Sequence, residues 1–173
     1  PRLTRSMIEH LGDLLRLSLE NKDRQEVPLA EELAFLDHYL EIQKIRFGDQ
    51  LTVDIDVEPE VRYASVPSLI LQPLVENAIR HGISRRISGG AVVVSARAVD
   101  GKLKIEVEDD GMGLPPGWSL ENSSGLGLTV TRERIAGLYP AAHAFSVRRR
   151  ADGGTRVEIL LPLNIQGDED GRS

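Results

Sequence analysis

The chain has 173 residues, of which 40% are hydrophobic but only 4% aromatic, so its core has to be built from aliphatic side chains. This length suits one domain with an appendage. The net charge of −6 argues against a nucleic-acid-binding surface, and the absence of cysteine excludes disulfides and thiolate metal sites. A membrane-spanning helix needs about 20 consecutive apolar residues, and no stretch of this sequence approaches that length. No signal peptide is recognisable.

The first third of the chain contains two helical patterns and one strand pattern. Apolar residues recur at helical spacing over residues 3–20, and the pattern breaks at residues 21–28. A second helix is predicted to begin near Pro28, a residue favoured early in helices, and to end at Gly48. The period then changes to two over residues 51–57, which predicts a half-buried strand.

The remaining elements alternate between helices and strands. We expect a helix at residues 67–81, followed by strands at 91–99 and 103–108. A loop at 114–124 leads to a helix at 126–139. Two hairpin strands follow at 144–150 and 155–161. Pro73 lies inside the first of these helices and predicts irregular early turns. The polar residues 167–173 are expected to be disordered. Interleaved helices and strands predict an α+β fold, with a sheet covered by helices on one face.

The first of three short motifs surrounds Asn77 on an apolar helical face. A buried or capping asparagine is the plain interpretation of this residue. The alternative is a magnesium ligand, since an amide oxygen is a hard donor and magnesium takes few protein ligands in nucleotide sites. Arg80 lies one turn further on and would reach the phosphates of a nucleotide whose magnesium Asn77 binds. Taken alone, Arg80 would be interpreted as a solvated helix charge.

The second motif is Asp109-Asp110-Gly111-Met112-Gly113, at the end of a predicted strand. A carboxylate at Asp109 can accept a hydrogen bond from an exocyclic amino group such as that of adenine. Gly111 and Gly113 allow the backbone to approach a flat ring. Strand alternation turns Asp110 to the other face, so Asp109 is the predicted ligand. The alternative is an ordinary acidic turn.

The third motif is Gly125-Leu126-Gly127-Leu128, which precedes a predicted helix. Free N–H groups and the helix dipole favour an anion at such a position. Glycines also simply end loops, and the spacing fits neither a dinucleotide-binding fingerprint nor a Walker loop. The loop before this motif is interpreted as a hinged lid or as a plain surface loop.

Other chemistry finds no support in the sequence. The four histidines show no metal-ligand spacing, and no Gly-x-Ser-x-Gly element is present. The arginines at positions 148–150 are interpreted as a solvated strand end.

Taken in order, these motifs resemble a known family. The segment Pro67–Gly82, with its Gln72-Pro73-Leu74 variant, looks like the N-box of sensor histidine kinases of the autolysin-sensor (LytS-like) branch. The similarity extends over about residues 11–162 and includes Gly153-Gly154-Thr155. It implies the Bergerat ATP-binding fold, a two-layer α/β sandwich in which a mixed sheet packs on helices, with an N-terminal helical appendage.

The resemblance also implies ligands and residue roles. ATP or ADP and Mg²⁺ would be bound, with Asn77 as the magnesium ligand and Asp109 on the adenine amino group. The glycines of the second motif would line the base. Thr155 would support Asp109 through water, Arg80 would lie near phosphate and His81 would flank the nucleotide. The backbone of the third motif would contact the phosphates: Gly125, Leu126, Gly127 and Leu128.

Two departures from related families bear on activity. Related ATPases carry a general-base glutamate four residues before the asparagine, where this chain has Pro73, so transfer to a histidine fits better than hydrolysis. The family's acceptor histidine, followed by Phe-Leu-Phe-Asn, has no match, and His10 does not fit it. Because position 1 is Pro and a helical pattern begins almost at once, we expect a piece of a longer protein.

The resulting prediction is the catalytic domain of a two-component sensor histidine kinase. Residues 1–25 would be the second dimerisation helix, residues 26–165 the ATP-binding domain and residues 166–173 a tail. Its partners would be a response regulator and its own acceptor helix or a second protomer, in the cytoplasmic part of a membrane-anchored bacterial protein. Two alternatives share the fold: a serine kinase acting on an anti-sigma-factor partner and a nucleotide-binding module without phosphotransfer.

Overall fold

The computed structural model of the chain describes residues 2–20, 25–80, 89–114, 117–120 and 126–165. Helices and strands alternate along these residues. In chain order they are α1 (Arg2–Glu20), β1 (Glu26–Pro28), α2 (Leu29–Phe47), β2 (Leu51–Val57), β3 (Ser65–Pro67), α3 (Leu71–Ala78), β4 (Gly90–Val99), β5 (Lys102–Asp109), α4 (Leu126–Leu138), β6 (Ala144–Arg149) and β7 (Thr155–Pro162).

The main sheet is mixed, with the strand order β2-β4-β5-β7-β6. β2 runs parallel to β4, and the other neighbouring pairs are antiparallel. The short strands β1 and β3 form a separate antiparallel pair. This arrangement confirms the predicted α+β class with a mixed sheet.

The helices cover one face of the sheet. In β5, Leu103, Ile105 and Val107 are buried, whereas the residues between them are only partly so. Helix α3 packs against β5, and α2 and α4 both pack against α3. One aliphatic core results, with its largest fully buried side chains at Leu29, Leu36, Ile70, Leu71, Leu74, Leu103, Ile105, Ile135, Ile159 and Leu161.

The structure corrects the predicted start of the third helix. Residues 65–67 form a strand, and α3 begins only at Leu71. Pro73 is therefore the third residue of α3, where its missing N–H costs nothing because the first helical N–H groups have no partner within the helix. The three-residue strands β1 and β3 were not predicted. Residues 167–173 and most of the loop 114–124 lie outside the described residues.

A buried carboxylate connects α2 to the start of α3. The side chain of Glu32 is buried, and its oxygens accept the N–H groups of Leu69, Ile70 and Leu71 at 2.5, 3.1 and 3.4 Å. Glu32 thus caps α3 from another helix. The segment that it holds includes Leu69, whose φ of 57° is unfavourable for a residue with a side chain.

Burial raises the pKa of Glu32 above its ordinary value, although the three backbone hydrogen bonds and the charge of Arg134 oppose the shift. A folded-state pKa above the unfolded one means that ionisation lowers stability as the pH rises from 4.5 through the folded-state value. Arg134 of α4 also donates to the carbonyl oxygen of Ser68 at 2.6 Å. The start of α3 is therefore held by both neighbouring helices.

The hairpin between β6 and β7 approaches the end of β5 closely. Gly154 has a φ of 89°, and a Cβ added to it would lie 1.9 Å from the carbonyl oxygen of Asp109. The neighbouring Gly153 has a similar φ of 97°, but an added Cβ would meet no atom within 4 Å. Of these two glycines, only Gly154 requires glycine for reasons of space as well as conformation.

We expect Glu32→Ala to lower the free energy of unfolding by roughly 2–4 kcal/mol, because it leaves the backbone donors at the start of α3 without their acceptor. Urea denaturation followed by circular dichroism measures this change. Glu41→Ala on the same helix is the matched control. Its half-exposed side chain pairs with Lys44 at 3.6 Å, which predicts a change of about 0.5 kcal/mol or less. Equal losses in the two variants would contradict the capping role.

Gly154→Ala should destabilise the protein more than Gly153→Ala. Both substitutions place a side chain at positive φ, which costs about 1–2 kcal/mol, but only the first also collides with the backbone of Asp109. A loss at least about twice as large is expected for Gly154→Ala in urea denaturation. The same loss in both variants would show that the hairpin can move away from β5.

Candidate functional site

Asp109 is the last residue of β5 and one of the few buried carboxylates of the described chain. Its side chain is only 6% exposed, and its Oδ1 accepts the N–H of Gly111 at 2.9 Å. It lies opposite Thr155, the first residue of β7, which is also buried. The end of the strand, the following turn and the start of β7 thus fix the position of this carboxylate.

Burial raises the pKa of Asp109, and the neighbouring charge of Asp110 acts in the same direction. The backbone N–H groups of Gly111 and Thr155 and the charge of Arg150 oppose this shift. The carboxylate is therefore held out of water with few compensating donors. A carboxylate offers about four acceptor sites, so it retains capacity for a donor from a ligand.

Asp110 lies on the other side of the strand end, as strand alternation predicts. It is exposed, and its Oδ1 accepts the N–H of Ala91 at 2.8 Å, while its own N–H donates to the carbonyl oxygen of Ala91 at 3.2 Å. Asp110 therefore extends the pairing of β4 with β5. Of the two adjacent aspartates, only Asp109 has a buried carboxylate.

The arginines of the β6 end are not simply a solvated group. Arg150 donates through Nη1 to the carbonyl oxygen of Asp109 at 3.0 Å, and its Nε lies 3.5 Å from a carboxylate oxygen of Glu108. Arg149 donates to the carbonyl oxygen of Leu114. These contacts tie the hairpin to β5 and to the chain that follows it. The interpretation of residues 148–150 as a solvated strand end is wrong for the half-buried Arg150, whereas Arg148 and Arg149 are exposed.

Asn77 is half-buried on α3, the helix that packs against β5. Glu76 of α3 forms an ion pair with Arg80, which lies two residues after the end of this helix and is exposed. Both charges act on Tyr39 of α2, whose pKa rises to about 12 mainly through burial and secondly through the charge of Glu76. The guanidinium of Arg80 thus has an anionic partner four residues earlier in the chain.

The structure places four of the predicted site residues close together. Asp109, Gly111, Gly113 and Thr155 form one group, in which a Cβ on Gly113 would lie 3.3 Å from the carbonyl oxygen of Gly154. Leu126 and Gly127 begin α4, and Leu128 is buried in the core. His81 and Gly125 lie outside the described residues.

The contacts of three residues at this site were not predicted from the sequence. Glu32 orients the helix that carries Asn77, Gly154 approaches the backbone of Asp109, and Arg150 bonds to that same backbone. A signal for Glu32 existed, since it lies three residues after Leu29 and four before Leu36, on the apolar face of α2. The contacts of Gly154 and Arg150 join distant parts of the sequence and leave no such signal.

The chemistry of this arrangement is that of ligand binding. A desolvated carboxylate lies beside glycine backbone, next to a helix with a half-buried amide. The carboxylate can accept a hydrogen bond from an amino group, and the amide oxygen of Asn77 can bind a hard cation. No helix among the described residues is long and apolar enough to cross a membrane.

Comparison with known proteins gives the family. A profile described as "Histidine kinase" matches residues 1–51, and one described as "Histidine kinase-, DNA gyrase B-, and HSP90-like ATPase" matches residues 65–165. Sensor histidine kinase YesM of Bacillus subtilis is 35% identical over 90% of this chain and 27% of that protein. Sensor protein LytS of Enterococcus faecalis is 29% identical over 92% of this chain and 28% of that protein.

A solved structure agrees with these relatives. The histidine kinase domain from Erythrobacter litoralis EL346 blue-light activated histidine kinase superposes with a TM-score of 0.63 at 25% identity, over 93% of this chain and 75% of that one. The chain spans 27% of the length of YesM. The predicted resemblance to sensor histidine kinases is confirmed, and the matched domain implies ATP binding. The chain belongs to the family of histidine kinase-, DNA gyrase B- and HSP90-like ATPases.

Proposed function

We propose that the chain is the catalytic ATP-binding part of a two-component sensor histidine kinase. It would transfer the γ-phosphate of ATP to a histidine. A nitrogen of that histidine would bond to the γ-phosphorus as the bond between this phosphorus and the β-phosphate oxygen breaks, and ADP would be released. The observation that carries this proposal is the buried Asp109, which ends β5 beside glycine backbone with acceptor capacity to spare. Adenine presents the matching donor in its exocyclic amino group.

The proposed contacts to nucleotide follow from this placement. Asp109 would bind the adenine amino group, with Gly111 and Gly113 against the ring and Thr155 supporting the carboxylate. The start of α4 at Leu126, Gly127 and Leu128, together with the preceding Gly125, would give backbone N–H groups to the phosphates. Arg80 would exchange its ion pair with Glu76 for a phosphate, and His81 would flank the nucleotide.

Magnesium fits the same helix. Asn77 offers a hard amide oxygen from a half-buried position on α3, the only protein ligand proposed here. Magnesium bound with ATP would neutralise phosphate charge at this point. Glu32 would act on this step indirectly, because it fixes the start of the helix that carries Asn77.

Phosphotransfer is favoured over hydrolysis by the first turn of α3. Pro73 occupies the helical position one turn before Asn77, and it has no group that can take a proton from water. A nucleotide site with no general base at this helical position suits an acceptor that is itself a nucleophile, as a histidine is.

The proposed partners follow from the helical part. Helix α1 exposes Ile8, Leu11 and Leu15, of which Ile8 is 63% and Leu15 is 65% exposed. We infer that residues 1–25 pair in a dimer bundle with an acceptor helix or a second protomer, that residues 26–165 act as the catalytic domain, and that a response regulator receives the phosphate. The whole protein would be membrane-anchored with this part in the cytoplasm.

The presence of α1 disfavours the alternative of a serine kinase. A serine kinase acting on an anti-sigma-factor partner begins close to its first strand, whereas here α1 packs on α2 ahead of the main sheet. The alternative of a nucleotide-binding module without phosphotransfer is tested by the transfer assay with radiolabelled ATP.

We expect Asp109→Asn to weaken ATP binding by roughly 1–3 kcal/mol, which is about 5- to 150-fold, because it removes a charge-assisted hydrogen bond. Calorimetric titration with ATP and GTP in the presence of magnesium measures it. Asp110→Asn, one residue further on the exposed side, is the control and should bind ATP as the wild type does. Equal affinity of the wild type for ATP and GTP would contradict base recognition by Asp109.

Transfer should be seen in trans. With radiolabelled ATP, the chain should not label itself, because it contains no histidine followed by Phe-Leu-Phe-Asn. It should label a supplied helix pair that carries such a segment, with the acid lability of phosphohistidine. Asn77→Ala should abolish transfer while circular dichroism remains unchanged. Label on His10 would refute the assignment of the acceptor, and ATP binding with no label on any acceptor would favour the module without phosphotransfer.

A further inference from the structure

Three side chains with metal-binding atoms meet between α1 and α2, away from the nucleotide site. They are His10 and Asp13 on α1 and His38 on α2. The two histidine Nδ1 atoms are 3.4 Å apart, and Nδ1 of His38 lies 3.5 Å from Oδ2 of Asp13. Because His10 and Asp13 are three residues apart on one helix, they point to the same face.

The spacing of these atoms is that of a coordination sphere. Around a tetrahedral zinc ion with bonds of 2.0–2.2 Å, neighbouring ligand atoms are separated by about 3.3–3.6 Å. The two measured separations are 3.4 and 3.5 Å, and all three candidate ligand atoms lie within 4.8 Å of one another. Small side-chain adjustments would therefore suffice to place an ion between them.

The chemistry of the set selects the ion. Two imidazoles are borderline donors, and together with one carboxylate they suit zinc, cobalt, nickel and copper, whereas magnesium and calcium prefer oxygen ligands alone. The cluster is also accessible: the side chains of His38 and Asp13 are 29% and 34% exposed. Three protein ligands leave a fourth position, which water would fill.

We propose that His10, Asp13 and His38 form a binding site for one divalent transition-metal ion of the zinc class. Bound metal would cross-link α1 to α2 by coordination bonds, in addition to their packing. All three residues lie within the segment 1–51, outside the segment 65–165 that matches the ATPase profile. The proposal therefore stands apart from the proposed kinase activity and does not depend on it.

Cobalt and zinc are the probes for this site. In buffer without nucleotide or magnesium, Co²⁺ should give the visible absorption bands of a nitrogen- and oxygen-ligated ion, and Zn²⁺ should displace it at one ion per chain. Zinc at about 100 times its dissociation constant should raise the midpoint of thermal unfolding by roughly 5–10 °C. Magnesium at the same concentration should do neither.

Single substitutions locate the ion. His10→Asn, Asp13→Asn and His38→Asn should each lower zinc affinity at least tenfold, since even an outer-shell partner contributes about 10- to 100-fold. His143→Asn is the control, because His143 bonds to the carbonyl oxygen of Tyr139 elsewhere in the fold and should leave zinc binding unchanged. Circular dichroism in chelator verifies that each variant folds.

The proposal fails if zinc binding is absent in the wild type, which would mean that the cluster is a hydrogen-bonded pair of imidazoles next to a carboxylate. It also fails if the three variants bind zinc as tightly as the wild type, because the ion would then lie elsewhere. Should one variant unfold, the other two and the cobalt spectrum still decide between these outcomes.

Discussion

The arrangement of the helical layer depends on one buried carboxylate. Glu32 lies on the buried face of α2, where an apolar side chain would be usual. Its carboxylate accepts hydrogen bonds from the N–H groups at the start of α3, which have no partner within that helix. A helix start that is buried needs such a partner, because water cannot reach it. The charge of Arg134 and its hydrogen bond to Ser68 add α4 to the same junction. The direction of α3, and with it the position of Asn77, follows from this contact.

Glu32 and Asp109 show how one physical effect can serve two purposes. Burial raises the pKa of both carboxylates, so in both the charge is held at a cost in stability. At Glu32 three backbone donors offset that cost, and the group is satisfied within the fold. At Asp109 two backbone donors, the N–H groups of Gly111 and Thr155, do so together with the charge of Arg150. Because it has fewer backbone donors, Asp109 keeps acceptor capacity for a ligand, whereas Glu32 has a structural role.

Much of the architecture could be predicted from local patterns. The long strands β4, β5 and β7 alternate clearly and were placed to within about two residues, as were α1, α2 and α4. The strands β1 and β3 have three residues each, too few for a period to appear, and the start of α3 was misplaced because Pro67 resembles a helix start. Asp109 and Asn77 were singled out because motif order constrains them, and their roles as ligands stay predictions. Glu32 and Arg150 were missed as partners because their contacts join residues 37 and 41 positions apart.

The cap at the start of α3 also has a mechanical consequence. Helix α2 has 19 residues and is about 28 Å long, and it contacts α1 on one side while its Glu32 holds α3 on the other. Hydrogen bonds of 2.5 to 3.4 Å weaken when donor and acceptor separate by a few tenths of an ångström. Rotation of α2 about its own axis would break all three at once, so α2 and the first turn of α3 have to move as a rigid body. Any displacement that reaches α2 through α1 would therefore also move the start of α3, the helix that carries Asn77.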